Sequence, residues 1–291
     1  MVRRGIVNIT EGSPSGASNS NNLGIGSPSS PNPGSPPSSN VGFSYAYVTN
    51  YGSNTVSVIK VSTNTVVATV SVGTGPFGVA ITPDGSYAYV VNTGSGTASV
   101  IQISTNTVIA TITVGASPQY IAITPDGDYA YVTNHDSNTV SVIQTSTNTV
   151  VATVSGVSGP SGVAITPDGN YAYVANNSST TVSVIQVSTN TVIATVSIGT
   201  TPRGIAITSD GSYVYVADID SSSVSVIQVS TNTVVATISV GTSPYNVAIT
   251  PDGNYAYVPS YGLNTVSVIQ VSTNTVIATV TVGTKPIGVA T

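Results

Sequence analysis

The sequence predicts an all-β protein, a six-bladed β-propeller with four strands to a blade, and three observations carry that expectation. From Ser44 onward the chain repeats. The Gly of each Asp-Gly turn stands at Gly85, Gly127, Gly169, Gly211 and Gly253, a constant step of 42 residues. A repeated Pro stands at Pro76, Pro118, Pro160, Pro202, Pro244 and Pro286 with the same step. A period of 40–45 residues with several strands per unit is the mark of a propeller. Each unit also alternates apolar and polar residues at a period of two, and helix formers are scarce, with one Glu and two Lys in 291 residues.

The elements of the first unit come in order. Tyr45-Ala46-Tyr47-Val48 alternates as a strand with two different faces. Thr55–Ile59 and Thr65–Val70 are the next two strands, separated by Ser62-Thr63-Asn64, where Asn suits a tight turn. Gly78–Thr82 then runs into Pro83-Asp84-Gly85, with Pro to fix φ and Gly to take a positive φ. Six units result: 44–85, 86–127, 128–169, 170–211, 212–253 and a shorter 254–291.

Ahead of the repeats the composition changes. Of the 32 residues at 11–42, 27 are Ser, Pro, Gly or Asn, a linker composition that cannot bury a core. The domains are therefore a strand-like piece at 1–10, a linker at 11–42 and the propeller at 43–291. Met1-Val2-Arg3-Arg4 has the charge of a signal-peptide start, but the adjoining Gly5–Thr10 is too short and polar for its apolar middle. Asn-x-Ser/Thr triplets at Asn8, Asn176 and Asn177 carry little weight in a chain this rich in those residues.

Only 5% of residues are charged, with a net charge of −5. Five basic residues cannot make a nucleic-acid footprint, so no nucleic-acid partner is expected. Without Cys there is no disulfide scaffold, thiolate nucleophile or Cys-ligated metal. Thr, Ser and Asn interrupt every apolar run, so no membrane span is expected.

Tyr47-Val48-Thr49-Asn50 and Tyr131-Val132-Thr133-Asn134 spell the signature of the YVTN β-propeller repeat family. Variants stand at Tyr89–Asn92, Tyr173–Asn176 and Tyr215–Asp218, and the Ser-Val-Ile-Gln and Pro-Asp-Gly segments are also similar to that family. The resemblance covers 44–291 and implies relatives among archaeal surface-layer and other cell-surface proteins, usually non-enzymatic and often seven-bladed. In such a propeller Gly-Val-Ala-Ile-Thr is the innermost strand and Thr-Val-Val-Ala-Thr-Val the outermost. The first unit then lacks an inner strand, and Pro286–Thr291 is expected to close the ring by joining it.

The strand Gly5-Ile6-Val7-Asn8-Ile9-Thr10 is left over. Residues 4–13 resemble Arg203–Ser212, an inner strand and its turn. The piece is a frayed end, a strand docked on its own ring, or a strand donated to a neighbour. Donation would make the protein its own partner in a homopolymer. The outer strands carry no Lys, Glu or Pro to block pairing with another chain, which also favours assembly.

Chain reversal at each turn puts the nearly invariant Pro-Asp-Gly and Ser-Thr-Asn turns on one face and the divergent connections on the other. The divergent face carries Tyr51, Phe77, Tyr120, His135, Arg203, Tyr245 and Tyr261. Aromatic side chains on loops suit sugar stacking or protein contact, so surface glycans or other cell-surface proteins are the expected ligands. A single His excludes a cage or relay of several imidazoles. Asp218 and Asp220 form a lone Asp-x-Asp, and nothing marks a nucleophile beside His135 and Asp136. The expectation is an extracellular or cell-surface structural or adhesive protein, a subunit of a surface layer or filament. It is expected to have no enzymatic activity, catalytic residue, metal or cofactor. The rival is a lectin-like propeller using the divergent face.

Overall fold

The computed structural model describes residues 45–291. The strand expected at 1–10 and the linker lie outside the described residues. The described chain is all-β, as expected, and its strands form successive antiparallel sheets. The first sheet has three strands, β1 (Tyr45–Asn50), β2 (Thr55–Lys60) and β3 (Thr65–Ser71). The second adds an inner strand, with β4 (Pro76–Ile81), β5 (Tyr87–Asn92), β6 (Thr97–Gln102) and β7 (Thr107–Thr113). The third holds β8 (Pro118–Ile123), β9 (Tyr129–Asn134), β10 (Thr139–Gln144) and β11 (Thr149–Val154). The fourth holds β12 (Pro160–Ile165), β13 (Tyr171–Asn176), β14 (Thr181–Gln186) and β15 (Thr191–Ser197). The fifth holds β16 (Pro202–Ile207), β17 (Tyr213–Asp218), β18 (Ser223–Gln228) and β19 (Thr233–Ser239). The sixth holds β20 (Ala248–Ile249), β21 (Tyr255–Ser260), β22 (Thr265–Gln270) and β23 (Thr275–Thr281).

Each core lies between neighbouring sheets. Tyr47, Val56, Val58 and Val70 of the first sheet pack with Val79, Ala88, Val90 and Ile101 of the second, and the same positions recur around the fold. Inner strands approach closely where the second residue after the repeated Pro is Gly, as at Gly162 and Gly204, whereas Tyr120 and Asn246 hold that position in the third and sixth units. A Cβ on Gly162 would sit 2.2 Å from the carbonyl oxygen of Arg203, and one on Gly204 would sit 2.4 Å from Cα of Asn246.

One hydrogen bond repeats at the sheet-to-sheet contacts. The hydroxyls of Tyr89, Tyr131, Tyr173 and Tyr215 donate to Oδ1 of Asn148, Asn190, Asn232 and Asn274, at 2.6, 2.6, 2.6 and 2.5 Å. Burial pushes these hydroxyls up to about 12, so they remain neutral donors at any ordinary pH. The acceptors are the Asn residues of the Ser-Thr-Asn turns, with φ of 53–54°. Asn therefore does two things there: it tolerates the left-handed turn, and it ties its sheet to the preceding one. At the first contact the Tyr47 hydroxyl and Asn106 Oδ1 are buried but do not make the bond.

The expected closure of the ring is not formed. Residues 286–291 carry no strand, and β1 is an edge strand of its sheet. Thr291 Oγ1 instead donates to the carbonyl of Ile249, at 2.5 Å, which keeps the segment beside β20. The exposed seam results from this. Val280 is 49% exposed, whereas Val70 and Ile238, at the same position in other sheets, are 6% exposed. Val48 and Ile59 are half-buried where Val90 and Ile101 are fully buried.

The seam supplies an internal control for the Tyr–Asn bond, because Asn64, the partner Tyr257 would have in a closed ring, is exposed. Tyr131→Phe leaves the carbonyl of Asn190 without its donor and should cost about 1–2 kcal/mol of unfolding free energy. Tyr257→Phe should cost less than about 0.5 kcal/mol. Chemical denaturation of the two variants checks this, and equal losses would contradict it.

Candidate functional site

The divergent connections share one face, and their own hydrogen bonds hold them there. The backbone N–H of Gly75, in the connection from β3 to β4, donates to Oδ1 of Asn54 in the β1–β2 loop, at 2.9 Å. Gly159 to Asn138 and Lys285 to Asn264 repeat the bond at 2.7 and 2.8 Å. Each pair joins the loop within one sheet to the crossing into the next. The loop side chains can vary because these ties run through backbone donors.

Two aromatic groups form on this face. Phe77, first after its Pro in β4, meets Tyr120 of β8 edge to face, with ring centroids 5.5 Å apart and planes at 87°. Tyr120 is 8% exposed and belongs to the core cluster, against which Ile287 also packs. Its ring has little surface left for a ligand, and its work is structural. The second group is more open. The Arg203 guanidinium lies over the Tyr245 ring at 4.8 Å, Tyr245 meets Tyr261 at 5.3 Å, and Lys285 Nζ lies 5.4 Å over Tyr261. These four come from β16, the approach to β20, the β21–β22 loop and the segment after β23.

The other expected residues stand apart. Tyr51 lies across Gly75, whose Cβ would sit 3.2 Å from its ring. His135 Nδ1 is 2.7 Å from Asp136 Oδ1. Asp136 also accepts from the Ser117 hydroxyl, and these two hydrogen bonds hold its carboxyl below the usual range. Among the described residues, neither Tyr51 nor His135 has a ring or ion-pair contact with the two aromatic groups. The expected assembly strand, 5–10, lies outside the described residues. Among the described residues, no group of three or more His, Asp or Glu is placed to hold a metal ion.

Sequence reasoning missed Lys285. It occupies the position before the repeated Pro, where the other units have Gly, Ser or Thr. Every residue there has a positive φ, from 50° at Ser117 to 64° at Gly75. A Lys in that series is a departure that the repeat alignment exposes.

Asp218 is a second departure. The equivalent Asn92, Asn134 and Asn176 donate through Nδ2 to a Thr and a Ser of the next strand. Asp218 is fully buried and reverses the direction, accepting from Ser223 at 3.3 Å and Ser225 at 2.7 Å. Burial pushes its carboxyl up to about 6, and the two hydroxyl bonds offset only part of that. A raised acid pKa means that the stability is present below the ordinary value of 3.8 and is lost as pH rises through about 6. Asp218→Asn, which restores the amide of the other sheets, should therefore stabilise the protein by up to about 3 kcal/mol above pH 7. The gain should shrink to nothing below about pH 4. Thermal unfolding across that pH range checks it, and a pH-independent difference would contradict it.

A family model described as Lactonase, 7-bladed beta-propeller matches residues 44–237, about two thirds of the chain. Among curated proteins, PE-PGRS family protein PE_PGRS18 of Mycobacterium tuberculosis is 62% identical over 37 residues, 13% of this chain and 8% of that protein. The chain thus spans a small part of that relative's length. Among solved structures, Kuenenia stuttgartiensis hydrazine synthase is 24% identical, with a TM-score of 0.78, covering 85% of this chain and 86% of that one. A functionally unknown protein from Desulfotomaculum acetoxidans is 23% identical, with a TM-score of 0.72 and 84% of each chain covered. At those identities the structures show a shared propeller fold. The family match corrects the expectation of a protein without enzymatic activity, because the matched family is described as an enzyme family. It also counts seven blades where the described residues form six sheets with an exposed seam. The chain belongs to the Lactonase family of seven-bladed β-propellers.

Proposed function

We propose that this chain is an extracellular propeller that binds saccharide on its loop face. The observation that carries the reading is the Tyr245–Tyr261 pair, half-buried on that face and flanked by two cations. Tyr rings present large area with few torsions to fix, which suits packing against the apolar face of a sugar ring. Sugar lactones have the same ring faces, so the same surface serves the activity that the family description names. The likeness of the repeats to YVTN surface proteins supports a cell-surface location. On a glycan array the protein should bind a defined set of saccharides, and Tyr245→Ala should weaken that binding about tenfold or more. No binding, or binding indifferent to the change, would contradict the reading.

A second reading is favoured by the sheet edges. In it the chain is a subunit of a surface layer or filament, assembled through its N-terminal strand. The first sheet lacks the inner strand that the others have. The outer strands expose paired apolar residues such as Val66, Val67, Val150 and Val151, at 36–57%. Such edges are templates for added strands. Deleting residues 1–42 should abolish polymers in electron micrographs while the propeller stays folded, and normal assembly of the truncated protein would contradict strand donation.

A further inference from the structure

We propose that the Arg203–Tyr245–Tyr261–Lys285 array is a site for an acidic saccharide, a short uronic-acid oligomer. Its sugar rings lie on the two tyrosines, and its carboxylates meet the two cations. The proposal rests on the reading of the loop face as a saccharide surface and adds the charge of the ligand.

Charge placement points to an anion. The chain carries a net charge of −5, and the described residues include only three Lys or Arg: Lys60, Arg203 and Lys285. Two of the three stand at the ends of one tyrosine pair. Among the described residues, the only ion pair joins His135 to Asp136, so neither Arg203 nor Lys285 is neutralised. The acid of the fifth-sheet loop, Asp220, accepts from the Thr201 hydroxyl at 2.5 Å instead. A local positive site in an acidic, charge-poor protein selects an anionic ligand.

The guanidinium geometry points the same way. Arg203 is half-buried with its planar head over the Tyr245 ring, and a planar guanidinium matches the two oxygens of a carboxylate. The contact with the Tyr245 ring, 4.8 Å from its centroid, restrains the guanidinium in advance, so less freedom is lost when the ligand binds.

Shape selects the length of the ligand. The four groups succeed one another in series, at 4.8, 5.3 and 5.4 Å. A small inorganic anion meets one cation of such a series, whereas an elongated molecule with alternating flat rings and charges meets all four groups. Both ends of the array carry positive charge, and bonds from a cation to a carboxylate are stronger than those to a neutral hydroxyl.

The test is calorimetric titration at low salt with tri-galacturonate and with its methyl ester, which keeps the rings and removes the charge. The acid should bind about tenfold more tightly than the ester, and added salt should erase the difference. Arg203→Gln and Lys285→Gln should each lower the acid's affinity toward that of the ester. Lys285 is exposed, so that variant keeps the test meaningful if Arg203→Gln perturbs folding. Equal affinity for acid and ester would overturn the charge assignment and leave saccharide binding standing. An acid preference unchanged in both variants would overturn the location. Binding of neither compound would overturn the proposal and count against the reading beneath it.

Discussion

The structure depends on one repeated contact, a buried Tyr hydroxyl from one sheet meeting the Asn side chain in a tight turn of the next. The surrounding apolar residues supply most of the favourable free energy of burial, but they are non-directional. The Tyr–Asn bond is directional, and at four sheet contacts it ties a buried hydroxyl to one turn of the next sheet. Because Asn also takes the left-handed turn conformation, the same residue fixes the hairpin and the interface. Neither function tolerates drift. That accounts for the Ser-Thr-Asn turns at Asn148, Asn190, Asn232 and Asn274; at Asn64 and Asn106 only the turn conformation is served.

The constraint leaves the opposite face free. There the loops are tied together mainly through backbone N–H donors and the Asn that closes each loop, so intervening side chains can change without cost to the ring. The result is a scaffold with one nearly invariant face and one whose loops have diverged. Phe77 and Tyr120 are absorbed into packing around the inner strands. Arg203, Tyr245, Tyr261 and Lys285 are not, and they remain half-buried or exposed in one series. Asp218 shows the limit of that freedom: it lies where the divergent loop begins, yet its carboxyl is buried in the sheet and costs stability when charged.

The sheets, their order and the two faces were legible in the sequence, because a 42-residue step repeats every turn signal in register. The Tyr pairs were legible as packing residues, but the acceptor of their hydroxyls was not. Asn64 and its equivalents read as turn residues, and nothing local marks a bond to a residue 59 positions earlier, as in Tyr131 to Asn190. Closure by Pro286–Thr291 failed as an expectation because strand pattern does not specify a partner: the same residues that could extend the first sheet lie beside Ile249. The aromatic loop residues were legible as a set, but their division into a core pair and an open series depends on which inner strand each ring meets. Lys285 carries no motif of its own and shows only when the residues before each repeated Pro are compared. The enzyme-family membership was hidden for a different reason, since it comes from a match over residues 44–237 and the sequence marks no catalytic cluster there.

In the proposed reading, copied residues hold the sheets together and the diverged series on one face binds the ligand. A crystal structure of the protein with tri-galacturonate tests that division of labour most directly. It should show sugar rings against Tyr245 and Tyr261, a carboxylate within hydrogen-bond distance of Arg203, and Tyr–Asn contacts unchanged between the sheets. Ligand seated on the invariant turn face, or binding that requires those contacts to break, would contradict it.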